Sequence, residues 1–153
     1  MQPIDENKFE ASRWPVLLCI DDDPQICEAI RIRLRDYEVE VLCATYGMHG
    51  FWLAMTERPD LVITDMRMPQ GRGDYVVECL RKNAETRNIP VIVLTGLRGT
   101  DVGQTIHKLS VDAIFTKPVK FDELRPAIEK FVPLRKREAD DPETSEEVAA
   151  TTP

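Results

Sequence analysis

Short apolar runs alternate with helix-period segments along this chain. Val16–Ile20 is a continuous apolar run that stops at Asp21, Asp22 and Asp23. Pro24 suits the first turn of a helix, and Ile26, Cys27, Ile30 and Leu34 recur behind it at helical spacing. Residues 39–43 read as a second strand. Phe51, Trp52, Leu53 and Met55 predict a second helix that ends before Pro59. A third strand covers 61–64 and runs into Asp65. Val76, Val77 and Leu80 mark a third helix behind a glycine-rich loop, and 90–94 a fourth strand ending at Thr95. Ile106 and Leu109 belong to a fourth helix, and 113–115 is a short fifth strand running into Thr116, Lys117 and Pro118. Phe121, Leu124, Ile128 and Phe131 give an amphipathic last helix.

Strands made of consecutive Val, Ile and Leu are buried on both faces, which implies a parallel sheet covered by helices on each side. Right-handed crossovers make this an α/β doubly wound fold of (βα)5 type. Strand order 2-1-3-4-5 is the flavodoxin-like arrangement. The chain of 153 residues is 42% hydrophobic and 31% charged, enough apolar material for one core. We expect a flexible leader over 1–14, one domain over 15–132, and an acidic disordered tail over 133–153. No apolar run reaches the roughly 18 residues of a membrane helix. With no secretory signal at the polar N-terminus, the cytoplasm is the expected location. A net charge of -7 argues against direct nucleic-acid binding. The basic run Arg135-Lys136-Arg137 reads as a solvated junction, and Arg31, Arg33 and Arg35 on the first helix as a solvated face more than a partner surface. Cys19, Cys27, Cys43 and Cys79 lack metal spacing, and reduced structural thiols are expected. His49 and His107 stand isolated.

The chemistry lies where the apolar strands stop. In a parallel sheet these ends share one edge, and ligands bind in the crevice outside it where the strand order reverses. That crevice falls between strands one and three, so Asp21, Asp22 and Asp65 should converge. Taken singly, an aspartate at a strand end is often only a helix cap. Three close carboxylates repel and call for a cation, and an oxygen set suits Mg²⁺. A carboxylate is also a nucleophile that forms an aspartyl phosphate. Lys117 would add a positive charge for a phosphoryl oxygen, and Thr95 a hydroxyl donor.

The segments VLLCIDDDP, DLVITDMRMP, PVIVLTG and FTKPV, in this order and at these separations, resemble the receiver domain of bacterial two-component response regulators. The resemblance covers roughly residues 15 to 132. It implies Asp65 as phosphoacceptor and Asp21, Asp22, Asp65 and the backbone carbonyl of Arg67 as Mg²⁺ ligands. Asp23 would cap the first helix, Thr95 would be the switch hydroxyl and Lys117 the phosphoryl contact, with a cis bond before Pro118. The donor would be a histidine kinase or a histidine phosphotransfer protein. A downstream protein would dock on the fourth-helix, fifth-strand, fifth-helix face of a monomer or weak dimer. Only slow self-phosphorylation and self-dephosphorylation would be expected.

The chain departs from that pattern at Ile114, where receivers usually carry an aromatic residue. Phe115 follows, but strand alternation points it to the other face. The chemistry of Asp65 does not need the ring, whereas the usual output coupling does. Gly96 replaces a small alanine, while Arg67 and Leu97 occupy positions that tune phosphoryl lifetime in such proteins. Two alternatives stand beside the receiver: a phosphatase resembling the haloacid-dehalogenase superfamily, with Asp21-x-Asp23 as its motif, and a receiver fragment of a longer DNA-binding regulator.

Overall fold

The computed structural model describes residues 13–66, 73–96, 107–108 and 110–139. Five parallel strands, β1 (Val16–Ile20), β2 (Glu40–Ala44), β3 (Leu61–Asp65), β4 (Val91–Thr95) and β5 (Ala113–Thr116), form one sheet in the order β2-β1-β3-β4-β5. The described helices are α1 (Pro24–Leu34), α2 (Gly47–Glu57), α3 (Gly73–Lys82) and α4 (Phe121–Glu129). The expected flavodoxin-like doubly wound fold is therefore the one observed. Of the fourth predicted helix, His107 and Lys108 are helical, while Ile106 and Leu109 lie outside the described residues. The fifth predicted helix is α4.

Side-chain alternation along the central strands divides the core in two. Leu17, Cys19, Leu61, Ile63, Ile92 and Leu94 meet α1 and α4 through Cys27, Ile30, Leu34, Leu124 and Ile128. Leu18, Ile20, Val62, Val91 and Val93 face the other way, toward Ala54 of α2 and Val76, Val77 and Leu80 of α3. The continuous burial of β1, β3 and β4 follows from this double cover. Phe115 packs with the first group and Ile114 with the second, as strand alternation requires.

Register is pinned at the N-terminal edge by two matching latches. The Val16 N–H donates to Asp60 Oδ2 at 2.8 Å, and the Val91 N–H donates to Asp112 Oδ2 at 2.8 Å. Each aspartate immediately precedes the strand beside the one it holds, so an otherwise unpaired first N–H is satisfied. Helix α2 lies close on β1 because Gly50 faces the sheet. A Cβ built there would come within 2.4 Å of Ile20 Cδ1, and Ile20 is fully buried. Trp52, one of the residues that signalled this helix, is 58% exposed instead.

One expectation needs revision. Cys27 and Cys43 are joined as a disulfide, whereas all four thiols were expected to be reduced. Their Cα atoms are 6.0 Å apart because α1 packs across β2, a proximity that spacing along the chain does not announce. The basic run is exposed, as a solvated junction requires, and is also tied to the segment before β2. The Glu38 N–H donates to Arg135 O at 2.7 Å and the Arg137 N–H to Asp36 O at 2.8 Å. The Arg137 guanidinium stacks over Trp14, 4.6 Å from the ring centre. Residues 1–12 of the expected leader and 140–153 of the expected tail lie outside the described residues.

Candidate functional site

Three strand ends and one loop build the site at the C-terminal edge of the sheet. β1 delivers Asp21, β3 ends in Asp65, β4 in Thr95, and Lys117 follows β5. Asp21, Asp65 and Thr95 are buried and Asp22 is exposed. One oxygen from each of Asp21, Asp22 and Asp65 lies within 4.8 Å of the others. The sheet thus brings together the three acids expected to converge. β4 and β5 hold Thr95 and Lys117 together, since the Lys117 N–H donates to Thr95 O at 2.7 Å.

The Lys117 ammonium bridges two of the acids. Its Nζ donates to Asp21 Oδ2 at 2.7 Å and lies 3.3 Å from Asp65 Oδ2. Burial alone would lower the basicity of this lysine. The hydrogen bond to Asp21 and the charges of Asp21 and Asp65 outweigh burial, so its pKa is raised. Asp21 is also held above its ordinary value. Burial is the main cause and the charge of Asp65 adds to it, while Lys117 and the Asp23 N–H pull the other way. An electrically crowded acid of this kind is common where a protein prepares a site for a cation or for chemistry.

The loop between β1 and α1 sorts its three aspartates by backbone direction. The Asp21 N–H continues the sheet ladder by donating to Ala44 O at 3.0 Å. Asp21 Oδ1 accepts from the Asp23 N–H at 3.0 Å. Asp23 is the N-cap of α1, and its Oδ1 accepts from the Gln25 N–H at 2.9 Å. It is thereby committed to the helix, as expected, and Asp22 is left facing solvent beside the pair. The donor set of three carboxylates, one open to water, fits a hard cation that keeps several waters.

The Lys117–Pro118 peptide bond is cis. Ile114 is partly buried at the position where an aromatic residue was expected to be missing. The Arg67 carbonyl and Leu97 lie outside the described residues. Arg81 was not singled out from the sequence. Its guanidinium donates to Ser110 O, Arg87 O and Ile89 O and pairs with Asp112 at 3.6 Å, tying α3 to the segments flanking β4 and β5. A lone arginine at the end of a helix gives no sequence signal of that role.

Fold and edge together define a doubly wound α/β domain with an acidic, lysine-bridged site at its strand ends. The chain belongs to the response regulator receiver domain family, which matches residues 17–129. It is similar to the DNA-binding dual master transcriptional regulator RpaA of Synechocystis, with 35% identity over 115 residues, 72% of this chain and 46% of that protein. It is also similar to the sporulation initiation phosphotransferase F of Bacillus subtilis, with 29% identity over 119 residues, 78% of this chain and 94% of that protein. Among solved structures it resembles a Francisella response regulator receiver domain, with 29% identity and a TM-score of 0.69, covering 76% of this chain and 95% of the other. The chain thus spans about half the length of the RpaA protein it matches. It is a receiver domain of two-component signalling, and this membership decides against the phosphatase alternative. No described helix is long and apolar enough to cross a membrane.

Proposed function

We propose that Asp65 accepts a phosphoryl group from a phosphohistidine on a histidine kinase or a histidine phosphotransfer protein. The observation that carries this reading is the convergence of Asp21, Asp22 and Asp65 at one edge with Lys117 bridging two of them. Asp21, Asp22 and Asp65 would hold Mg²⁺, with the Arg67 carbonyl as a further ligand. The ion, when bound, supplies charge neutralisation to the phosphoryl oxygens. Asp65 attacks phosphorus with a carboxylate oxygen; the O–P bond forms as the N–P bond to the donor imidazole breaks. Lys117 exchanges its contact with Asp65 for one with a phosphoryl oxygen, and Thr95 donates its hydroxyl to another. These side chains position and neutralise, which is most of what phosphoryl transfer asks of a protein. The chain acts as a phosphorylated signalling protein in the cytoplasm, with no enzymatic turnover of an external substrate. A downstream protein reads it at the face that includes β5 and α4.

Incubation with acetyl phosphate and Mg²⁺ should place one phosphoryl group on the Asp65 peptide, with no label after chelation of the metal. Label on Asp21, or equal labelling with and without Mg²⁺, would sink the reading.

Ile114 changes how the signal leaves the site. With no ring at this position, phosphorylation cannot be transmitted by an aromatic side chain swinging inward there. Backbone amides of β5 and α4 should shift only modestly on addition of beryllofluoride, and Ile114→Tyr should enlarge those shifts. Identical spectra for the two proteins would contradict an altered switch.

A further inference from the structure

Cys27 lies in the second turn of α1 and Cys43 is the penultimate residue of β2. Their Cα separation of 6.0 Å is within the range that a disulfide spans without backbone movement. The two sulfurs have unequal surroundings. Cys27 is 3% exposed and belongs to the core beneath α1. Cys43 is partly exposed, and the Arg31 guanidinium lies 3.3 Å from its Sγ. That guanidinium comes from the next turn of α1 and is itself half exposed. A cation beside a cysteine sulfur favours the thiolate, the species that attacks disulfides. In a compartment kept reducing, a bridge of this kind is transient rather than permanent.

We infer that Cys27 and Cys43 are a redox-active pair in which Cys43 is the site modified by low-molecular-weight disulfides of the glutathione class. In the reduced chain, the Cys43 thiolate attacks one sulfur of the disulfide RSSR. A bond forms between Cys43 Sγ and that sulfur, the RSSR bond breaks, and the departing RS⁻ takes up the proton that Cys43 lost. The Cys27 thiolate then attacks Cys43 Sγ and expels the second RS⁻, which takes up the Cys27 proton. Two cysteine thiols are oxidised to one disulfide and RSSR is reduced to two RSH, so no other oxidant is required. A small thiol or protein dithiol reverses the sequence by the same exchange.

The bridge bears on the acidic loop. Cys43 immediately precedes Ala44, whose carbonyl holds the Asp21 N–H, and Cys27 sits on the helix capped by Asp23. The closed bridge therefore frames the loop that carries Asp21 and Asp22, and opening it removes one of the tethers on that loop. This second part rests on the proposed cation-binding role of those acids; the thiol chemistry does not.

The test uses the full chain, reduced and then exposed to oxidised glutathione, with intact mass and peptide mapping as readouts. The wild type should lose two hydrogens and yield a Cys27–Cys43 linked peptide. Cys27→Ser should trap one glutathione on Cys43, and Cys43→Ser should trap none on Cys27. Adding Arg31→Gln to the Cys27→Ser background should slow capture severalfold, with partial rescue by Arg31→Lys. Opening the bridge in the wild type should lower Tm by roughly 10 °C, from the entropy of a loop of this length. Modification of Cys19 or Cys79 in place of Cys43 overturns the inference. So does an unreactive Cys27→Ser chain, or a wild type whose melting ignores reductant. Calorimetry should find Mg²⁺ bound severalfold more weakly by the reduced chain, and equal affinities would overturn the coupling to the acidic loop.

Discussion

Lys117→Ala is expected to slow phosphorylation of Asp65 by roughly 10²–10³-fold, the scale of losing one preorganised charge-stabilising donor. The same substitution should lower stability by about 2 kcal/mol, less than for a fully enclosed ion pair because Lys117 is partly open to solvent. Both effects share a cause. Asp21 is 2% exposed and its carboxylate has Lys117 Nζ at 2.7 Å, while Asp65 has the same ammonium at 3.3 Å. Without that cation the repulsion between the two acids loses the ammonium that bridges them. Mg²⁺ should restore stability more strongly in Lys117→Ala than in the wild type, because the ion then supplies the missing charge. Initial rates with acetyl phosphate and urea unfolding with and without Mg²⁺ measure the two effects. A variant that is phosphorylated at the wild-type rate would remove Lys117 from the mechanism.

Asp21→Asn should move stability in the opposite direction while also damaging function. The Asp21 carboxyl is held above its ordinary value of 3.8, chiefly by burial. The folded chain therefore binds a proton at Asp21 more readily than the unfolded chain does. That contribution is fully present below pH 3.8 and is lost as pH rises through the raised folded value. At neutral pH the fold thus carries a disfavoured charge, and the neutral amide of asparagine relieves it. Lys117 keeps Asp65 as its partner in this variant. Without metal, thermal melts at pH 7 should show Asp21→Asn above the wild type, with the gap narrowing as pH approaches the carboxylate range. Mg²⁺ affinity should fall by at least the roughly 10–100-fold seen when a supporting group at a metal site is lost. A variant less stable than the wild type at pH 7 would show that the Lys117 contact outweighs burial. A gain in stability with a loss of function is the pattern expected where a protein keeps a strained group for its chemistry.

The strand-end residues were legible in the sequence because each breaks an apolar run with a group that the core would reject. Asp21, Asp65 and Thr95 close β1, β3 and β4, and Lys117 stands one residue past β5; parallel pairing then carries all four to one edge. The role of Asp23 was equally readable, since an aspartate before Pro24 is placed to cap. The contact face of α2 was not. Its large apolar residues announce a helix and Phe51 and Leu53 do pack against the core, yet the most deeply buried positions are Gly47, Gly50 and Ala54, which periodicity of bulky side chains passes over. The Cys27–Cys43 bridge was also hidden, because it depends on how α1 crosses β2 and not on the sequence separation of 16 between the two residues. Arg81 gathers carbonyls from two loops, a function set by tertiary placement alone.

The clamp between Trp14 and Arg137 makes the domain a cassette. The chain enters beside β1 at Trp14 and leaves at Arg137 against the same indole ring, with the Arg137 Nε also donating to Tyr37 O at 2.9 Å. Entry and exit at one spot let such a unit be spliced into the loop of a host protein, or joined at either end, without prying open the sheet. The same geometry favours a circular permutant in which a short linker joins the two ends and new termini are cut elsewhere on the surface. A pull applied between the two ends would load this clamp before it loaded any strand.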